Sequence, residues 1–273
     1  CSHLRSVDMG NGVKTIGTFA FSGCNELTSI TLSENLTEIG ESAFNQCSAL
    51  TELALPDSVA TIGNGVFASC SKLKQVTLPN GLTSISESMF SDCSALTSVE
   101  IPDSVTSIEY RAFKNCLKLQ QIPLPEGLTT IGEGAFYSCS GLEQITFPEG
   151  LTSMGASAFY NCSGLVQVTL PNGLTSTGKE VFSGCSSLTS AEIPEGFTEL
   201  ADGTFSNCGS LKDVKLPNSL QKIGGGAFQN CDALTEITIP GNVTDICGSA
   251  FAKCDGLTSI VIPDSVTFIG DNI

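Results

Sequence analysis

Cysteine recurs every 23 residues along the chain, at 1, 24, 47, 70, 93, 116, 139, 162, 185, 208, 231 and 254, and the register never slips. A period of 20 to 50 residues marks a solenoid or array, whose units are too small to bury their own apolar faces and gain stability only by stacking. Local motifs therefore have to be read as columns of a repeating unit. Numbering columns 1 to 23 from each Cys gives eleven full coils and a partial twelfth at 254–273.

Column 4 is Leu from Leu4 to Leu257, and column 21 is Phe from Phe21 to Phe251. Column 7 is Val, Ile or Leu except at Ala191, column 9 is always large and apolar, and column 16 is apolar except at Thr177. The L-T-x-I-x-L segment predicts a strand over columns 4 to 9, alternating at its carboxyl half as a one-sided strand does. Proline at column 10, in each coil from Pro56 to Pro263, lacks the N–H needed to extend a ladder and ends the strand. The [DEN]-[GS] pair that follows supplies turn chemistry. A second short segment, [LV]-T-x-I, comes next, then Gly at column 17 for a bend. The A-F pair predicts a helical or 3₁₀ turn whose Phe plugs the interior. One coil alone cannot offset the entropy of ordering it, whereas stacking at about 4.8 Å gives every strand two neighbours and every apolar row its own copy.

These residues resemble a known family. The Cys-x-x-Leu-x-x-Ile-x-Leu-Pro strand, the Leu/Val-Thr-x-Ile-Gly segment and the Ala-Phe turn are similar to the 23-residue leucine-rich repeat called the Treponema pallidum or BspA-like type. The likeness runs through all twelve coils, so 1–273 is expected to be a single leucine-rich-repeat domain. It implies a right-handed solenoid with a parallel β-sheet on one face and short strands with 3₁₀ or helical turns on the other. It also implies an extracellular or cell-surface location and adhesion to host or neighbouring-cell macromolecules. The family assigns no catalytic residues, so none carries over.

Three readings compete for the cysteine column. Zinc sites want clustered ligands such as C-x-x-C, which are missing. Disulfides between adjacent coils pass on Cα spacing but fail on direction, because in-register stacking makes successive Cβ vectors parallel; the total of 13 is also odd. The remaining reading is a small buried filler with a weak S–H donor, closing the turn before the strand. By register Cys24 to Cys231 should be buried and reduced, whereas Cys247, which replaces Gly at column 17, is the one thiol expected to be accessible.

The chain carries 12 Lys plus Arg against 28 Asp plus Glu, a formal charge of −16, which repels nucleic acid and anionic membranes and leaves basic or neutral partners. No apolar run is long enough to span a bilayer, so no membrane insertion is expected of these residues. Nor does the amino-terminal stretch resemble a signal peptide, and the chain reads as a mature or trimmed fragment. The single histidine, His3, has no nucleophile and acid around it, and the glycine runs lack a complete phosphate-loop motif. No metal, cofactor or enzymatic activity is therefore expected. Acids at column 11 (Glu34, Asp57, Asp103, Glu126, Glu149, Glu195 and Asp264) form a ridge, but acids and Asn also favour turns.

Columns 6 and 8 should point outward and offer a neutral-to-acidic lawn of hydroxyls and amides. The candidate binding residues there are Gln121, Gln144, Gln167, Thr146 and Thr169, near Pro123. Trp is absent, and the only tyrosines, Tyr110, Tyr137 and Tyr160, make a second candidate patch. The reading is a non-enzymatic interaction scaffold of adhesin type, with a protein or glycoprotein partner. A β-solenoid carbohydrate-active enzyme and a module of a larger protein are the alternatives.

Overall fold

The computed structural model describes all of residues 1–273. Each coil contributes at most two very short strands. The first occupies columns 6 to 8, as in Ser29–Thr31, Glu52–Ala54 and Gln75–Thr77, and the second columns 15 and 16, as in Glu38–Ile39 and Thr61–Ile62. Every pairing is parallel and joins residues 23 apart: Val168 lies opposite Ala191, Ala191 opposite Val214, and Ile108 opposite Ile131. The 23-residue register of the sequence is thus the register of the sheets.

The strand is shorter than the apolar pattern predicts. Leu50 closes a turn from Cys47, its amide bonding the Cys47 carbonyl at 3.0 Å, so columns 1 to 4 form a turn and only columns 6 to 8 remain extended. Leu50 is nevertheless fully buried, because a turn residue can point inward as well as a strand residue can.

The segment over columns 17 to 23 is not a helical turn. In coil two the amides of Ala43, Asn45 and Cys47 bond three residues back within the coil, to Gly40, Ser42 and Phe44, at 3.1 to 3.3 Å. The intervening amides of Ser42, Phe44 and Gln46 instead bond the next coil, at the carbonyls of Asn64, Val66 and Ala68. This alternation is possible because columns 19 and 23 are left-handed: Ser42 has φ 52° and Gln46 φ 59°, and the same sign recurs at Arg111, Asn115, Glu180 and Gly203. A left-handed residue cannot continue a right-handed helix. It also explains why these columns are rich in Gly, Ser, Asn and Asp, which enter that region at least cost.

The turn ladder runs from Phe19 to Ser249 without interruption, whereas the two strand ladders are broken into six sheets. Strands of columns 6 to 8 pair over coils one to two, three to five and eight to ten; those of columns 15 and 16 pair over coils one to three, four to seven and nine to twelve. Where one ladder lapses the other usually continues. Only the junction of coils seven and eight lacks both, and there the turn ladder holds, with the amides of Ser157, Phe159 and Asn161 bonding Lys179, Val181 and Ser183 at 2.7 to 2.9 Å.

One continuous apolar core of 73 residues runs the length of the solenoid. Its axis is a column of phenyl rings from Phe21 to Phe251, each stacked on the next at 5.1 to 5.8 Å. Cys24 to Cys254 are buried beside it, as the register predicts. From Cys47 onward each thiol donates to the Phe carbonyl 26 residues earlier, at 3.0 to 3.3 Å. Cys247 is not the one accessible thiol: it is half-buried, burial raises its thiol above the ordinary value, and the exposed thiol is that of Cys1 in the first coil.

Candidate functional site

The regular coil places columns 6 and 8 on the solvent side of the strand and columns 7 and 9 inside. Accordingly Gln121, Gln144, Thr146, Gln167 and Thr169 are all exposed, while Ile122, Phe147 and Val168 are buried. These five residues do not share one backbone state. Gln167 and Thr169 sit on a paired strand, Gln167–Thr169, against Ser190–Glu192. Gln121, Gln144 and Thr146 lie where the ladder has opened: residues 121–124 and 144–147 make no backbone hydrogen bond to any coil.

Two substitutions accompany the opening. Pro123 stands at column 8, where it has no N–H to donate and also restricts Ile122 before it. Phe147 replaces the usual Leu or Ile of column 9, and its ring packs edge-on against Phe159 at 5.6 Å, a bulk that the strand must ride over. On the turn side the coils close up instead. Phe113 to Phe136 and Phe136 to Phe159 are the two shortest steps of the phenyl column, 5.2 and 5.1 Å.

The result is a hollow of about 330 Å³ on the strand face, with Ile122, Leu124, Ile145 and Phe147 as its apolar floor and Gln121, Gln144, Thr146 and Glu126 around it. A larger hollow of about 610 Å³ lies over coils two to four, across the junction of coils two and three where the same ladder also lapses. The first differs in that both of its segments, 121–124 and 144–147, lack a backbone partner on either side, whereas Ser29–Thr31 and Glu52–Ala54 each keep one. Backbone groups without a protein partner must find water or a ligand.

The structure divides the tyrosines. Tyr137 and Tyr160 stack at 4.8 Å and 11° in column 22, half-buried, on the turn side of the solenoid. Tyr110 is not part of that pair; it stands at column 18 with the Arg111 guanidinium 4.7 Å over its ring. The strand-face residues, the Tyr pair and Tyr110 therefore make three places rather than one or two.

Most of the remaining polar columns serve the stacking. Thr129 and Thr152 donate to the carbonyls of Thr106 and Thr129 one coil back, at 3.1 and 3.3 Å. The acidic column 11 acts as a turn brace: Asp57 and Glu195 accept the amides of Asn80 and Asn218 in the next coil at 3.0 and 2.9 Å. Those donors, the Asn218 amide first, hold Glu195 below the usual carboxylate range. His3 is exposed and pairs with Glu26 at 2.8 Å.

Sequence reasoning did not find a second, polar hollow on the turn side over coils seven to ten. Its only signal was a drop in side-chain size at Gly203, Gly225 and Gly226 within columns 18 and 19.

No helix of the chain is long and apolar enough to cross a membrane. No curated protein matches the chain. The family described as BspA type leucine rich repeat region (6 copies) matches residues 1–120, 71–186, 106–232 and 154–273. Among solved structures, a leucine-rich repeat protein from Bacteroides ovatus is 34% identical with TM-score 0.93, covering 99% of this chain and 70% of that one. A leucine rich cell surface protein from Faecalibacterium prausnitzii is also 34% identical, with TM-score 0.62 over 94% of this chain and 78% of its own. The pneumococcal vaccine antigen PcpA shares the fold at 23% identity and TM-score 0.54, over 99% of this chain and 69% of that one. A 23-residue parallel solenoid matched along its whole length in this way belongs to the BspA-type leucine-rich repeat family.

Proposed function

We propose that the protein is a non-enzymatic interaction scaffold of the cell surface or extracellular space, and that it binds a protein or glycoprotein partner through the strand face of coils six to eight. The observation that carries this reading is the lapse of the strand ladder at residues 121–124 and 144–147, beneath a hollow rimmed by Gln121, Gln144 and Thr146. A repeat protein holds information where it departs from its consensus, and here the departure exposes hydrogen-bonding backbone beside amide side chains. Gln167 and Thr169 continue the same outward rows onto the paired strand of coil eight. The unbroken core supports treating 1–273 as one domain. The leucine rich cell surface protein of Faecalibacterium prausnitzii supports the location.

Contacts of this neutral kind are individually weak, so affinity comes from extended area or from repeated partner copies. The Tyr137–Tyr160 pair is a second patch, on the opposite side of the coil, with its own aromatic surface.

The test starts from a binding screen against matrix proteins and glycans. Gln121, Gln144 and Gln167 are replaced together by Lys, and separately Tyr137 and Tyr160 by Ser. Loss of binding in the Lys variant alone supports the strand face, and loss in the Ser variant alone moves the site to the tyrosines. Full binding by both rejects both patches, and turnover of a glycan or peptide by the purified protein rejects the non-enzymatic reading.

A further inference from the structure

We propose that the turn side carries a separate saccharide-binding site, in the polar hollow between coils seven and ten. The hollow holds about 450 Å³, within the range of small-ligand sites. Its walls are Ser157, Lys179, Glu180, Asp202, Ser206 and Gln229, and its floor is lowered by Gly203, Gly225 and Gly226. Ala156 is the one apolar residue of the lining.

One carboxylate among the polar groups is held in place. Lys179 Nζ lies 2.8 Å from Asp202 Oδ2, and the Gly225 amide donates to Asp202 Oδ1 at 2.9 Å. Asp202 is thus oriented by donors from two different coils. Lys179, followed by the Gly225 amide, keeps its carboxyl below the ordinary range. It stays an acceptor throughout the neutral range.

This chemistry selects a ligand class. An anion would meet Glu180 and Asp202, with the one lysine already paired. A cation would find only Glu180 free, since Asp202 is already engaged by Lys179 and the Gly225 amide, and an apolar ligand would find almost nothing to bury. A neutral polyol fits, because each hydroxyl both donates and accepts and the lining alternates carboxylate, ammonium, hydroxyl and carboxamide.

The adjoining column provides the apolar half of sugar recognition. Tyr160 stands three residues beyond Ser157, on the same turn, with its amide bonded to the Ser157 carbonyl at 3.1 Å. Tyr137 covers one face of the Tyr160 ring at 4.8 Å. The next residues in that column, Ser183 and Ser206, are small and buried, so no side chain of comparable size covers the other face. Since Tyr137 covers the coil-six side, that face is turned toward coil eight, whose Lys179 and Glu180 line the hollow. An aromatic face beside convergent hydroxyl partners suits the C–H face and hydroxyl edge of a sugar ring.

The chain has three Tyr and no Trp, so its near-ultraviolet emission is tyrosine emission, and two of the three emitters, Tyr137 and Tyr160, belong to the stacked pair beside the hollow. The folded protein is titrated with methyl glucoside, methyl galactoside, methyl mannoside and N-acetylglucosamine, with saturation-transfer NMR observed on the sugar as a second readout. At least one sugar is expected to give a saturable change and sugar-side saturation. Tyr160→Ser should abolish both, Tyr160→Phe should keep the NMR signal, and Asp202→Asn should weaken binding about tenfold by removing a charged acceptor. The strand-face Lys variant should bind the sugar unchanged, which separates this site from the proposed partner face. No saturable signal with any of the four sugars, or one indifferent to both Tyr160→Ser and Asp202→Asn, overturns the proposal.

Discussion

The Sγ of Cys93 donates to the carbonyl oxygen of Phe67 at 3.1 Å, and the same oxygen accepts the amide of Cys70, also at 3.1 Å. One carbonyl therefore closes a turn in its own coil and receives a thiol from the next. That double use accounts for cysteine at column 1: leucine is too large for the niche, and alanine leaves the second lone pair without a partner.

Burial pushes the thiols of Cys47, Cys93 and Cys185 up to about 12, and neutral-pH alkylation of the folded protein should spare them. In the unfolded chain the same groups titrate near 9. Each raised value thus favours the folded state fully below about pH 9, and the contribution is lost as pH climbs toward 12. Each thiol should cost up to about 1.4 kcal/mol per pH unit above 9. Urea midpoints measured under reducing conditions at pH 8, 9 and 10 should fall steeply over the last step. A flat profile contradicts the buried-thiol column.

Phe136 is fully buried between Phe113 and Phe159, and Phe136→Ala should destabilise by about 3 to 5 kcal/mol. Because coils touch only their neighbours, hydrogen exchange should accelerate first in coils five to seven. Uniform acceleration along the whole chain would show that the solenoid opens as one unit instead.

Column 17 glycines mark backbone-to-backbone contact. A Cβ at Gly155 would run into the amide of Glu133, whereas one at Gly81 meets nothing within 4 Å. Gly155→Ala should therefore cost about 1 to 3 kcal/mol, the usual range for overpacking, while Gly81→Ala stays near neutral. Thermal melts of the two variants make the comparison, and equal shifts would refute it.

Pro123→Thr returns an N–H to column 8 and the common residue of that column. It should tighten the ladder over coils five to seven, slow amide exchange at residues 121–124, and weaken partner binding. Binding that survives a demonstrably closed ladder would remove the opened strand from the proposed site.

The period, the inward columns and the strand stop at proline were legible in the sequence because each is a one-dimensional constraint. Inserting one residue would misplace every inward side chain of its coil, so Cys, Leu and Phe keep their spacing from Cys1 to Cys254. Gln121 and Thr146 could be placed outward on the same grounds. The turn ladder could not be read in this way, since alternating right- and left-handed residues at columns 19 and 23 write only a faint preference for Gly, Ser and Asn, and Arg111 and Glu180 ignore it. The columns already set Tyr110, at column 18, apart from Tyr137 and Tyr160, at column 22 of adjacent coils, but the stacking of that pair and the Arg111 contact of Tyr110 depend on the folded turn. The lapse at residues 121–124 and 144–147 was decided by how the coils stack: Pro123 removes a donor and Phe147 adds bulk there, yet the ladder also lapses at 236–239 and 259–262 with ordinary residues in those columns, and the unbroken turn ladder and phenyl column hold the coils together regardless. A ladder breaks where a neighbouring coil cannot supply its half of the bond, and that is a property of two coils at once.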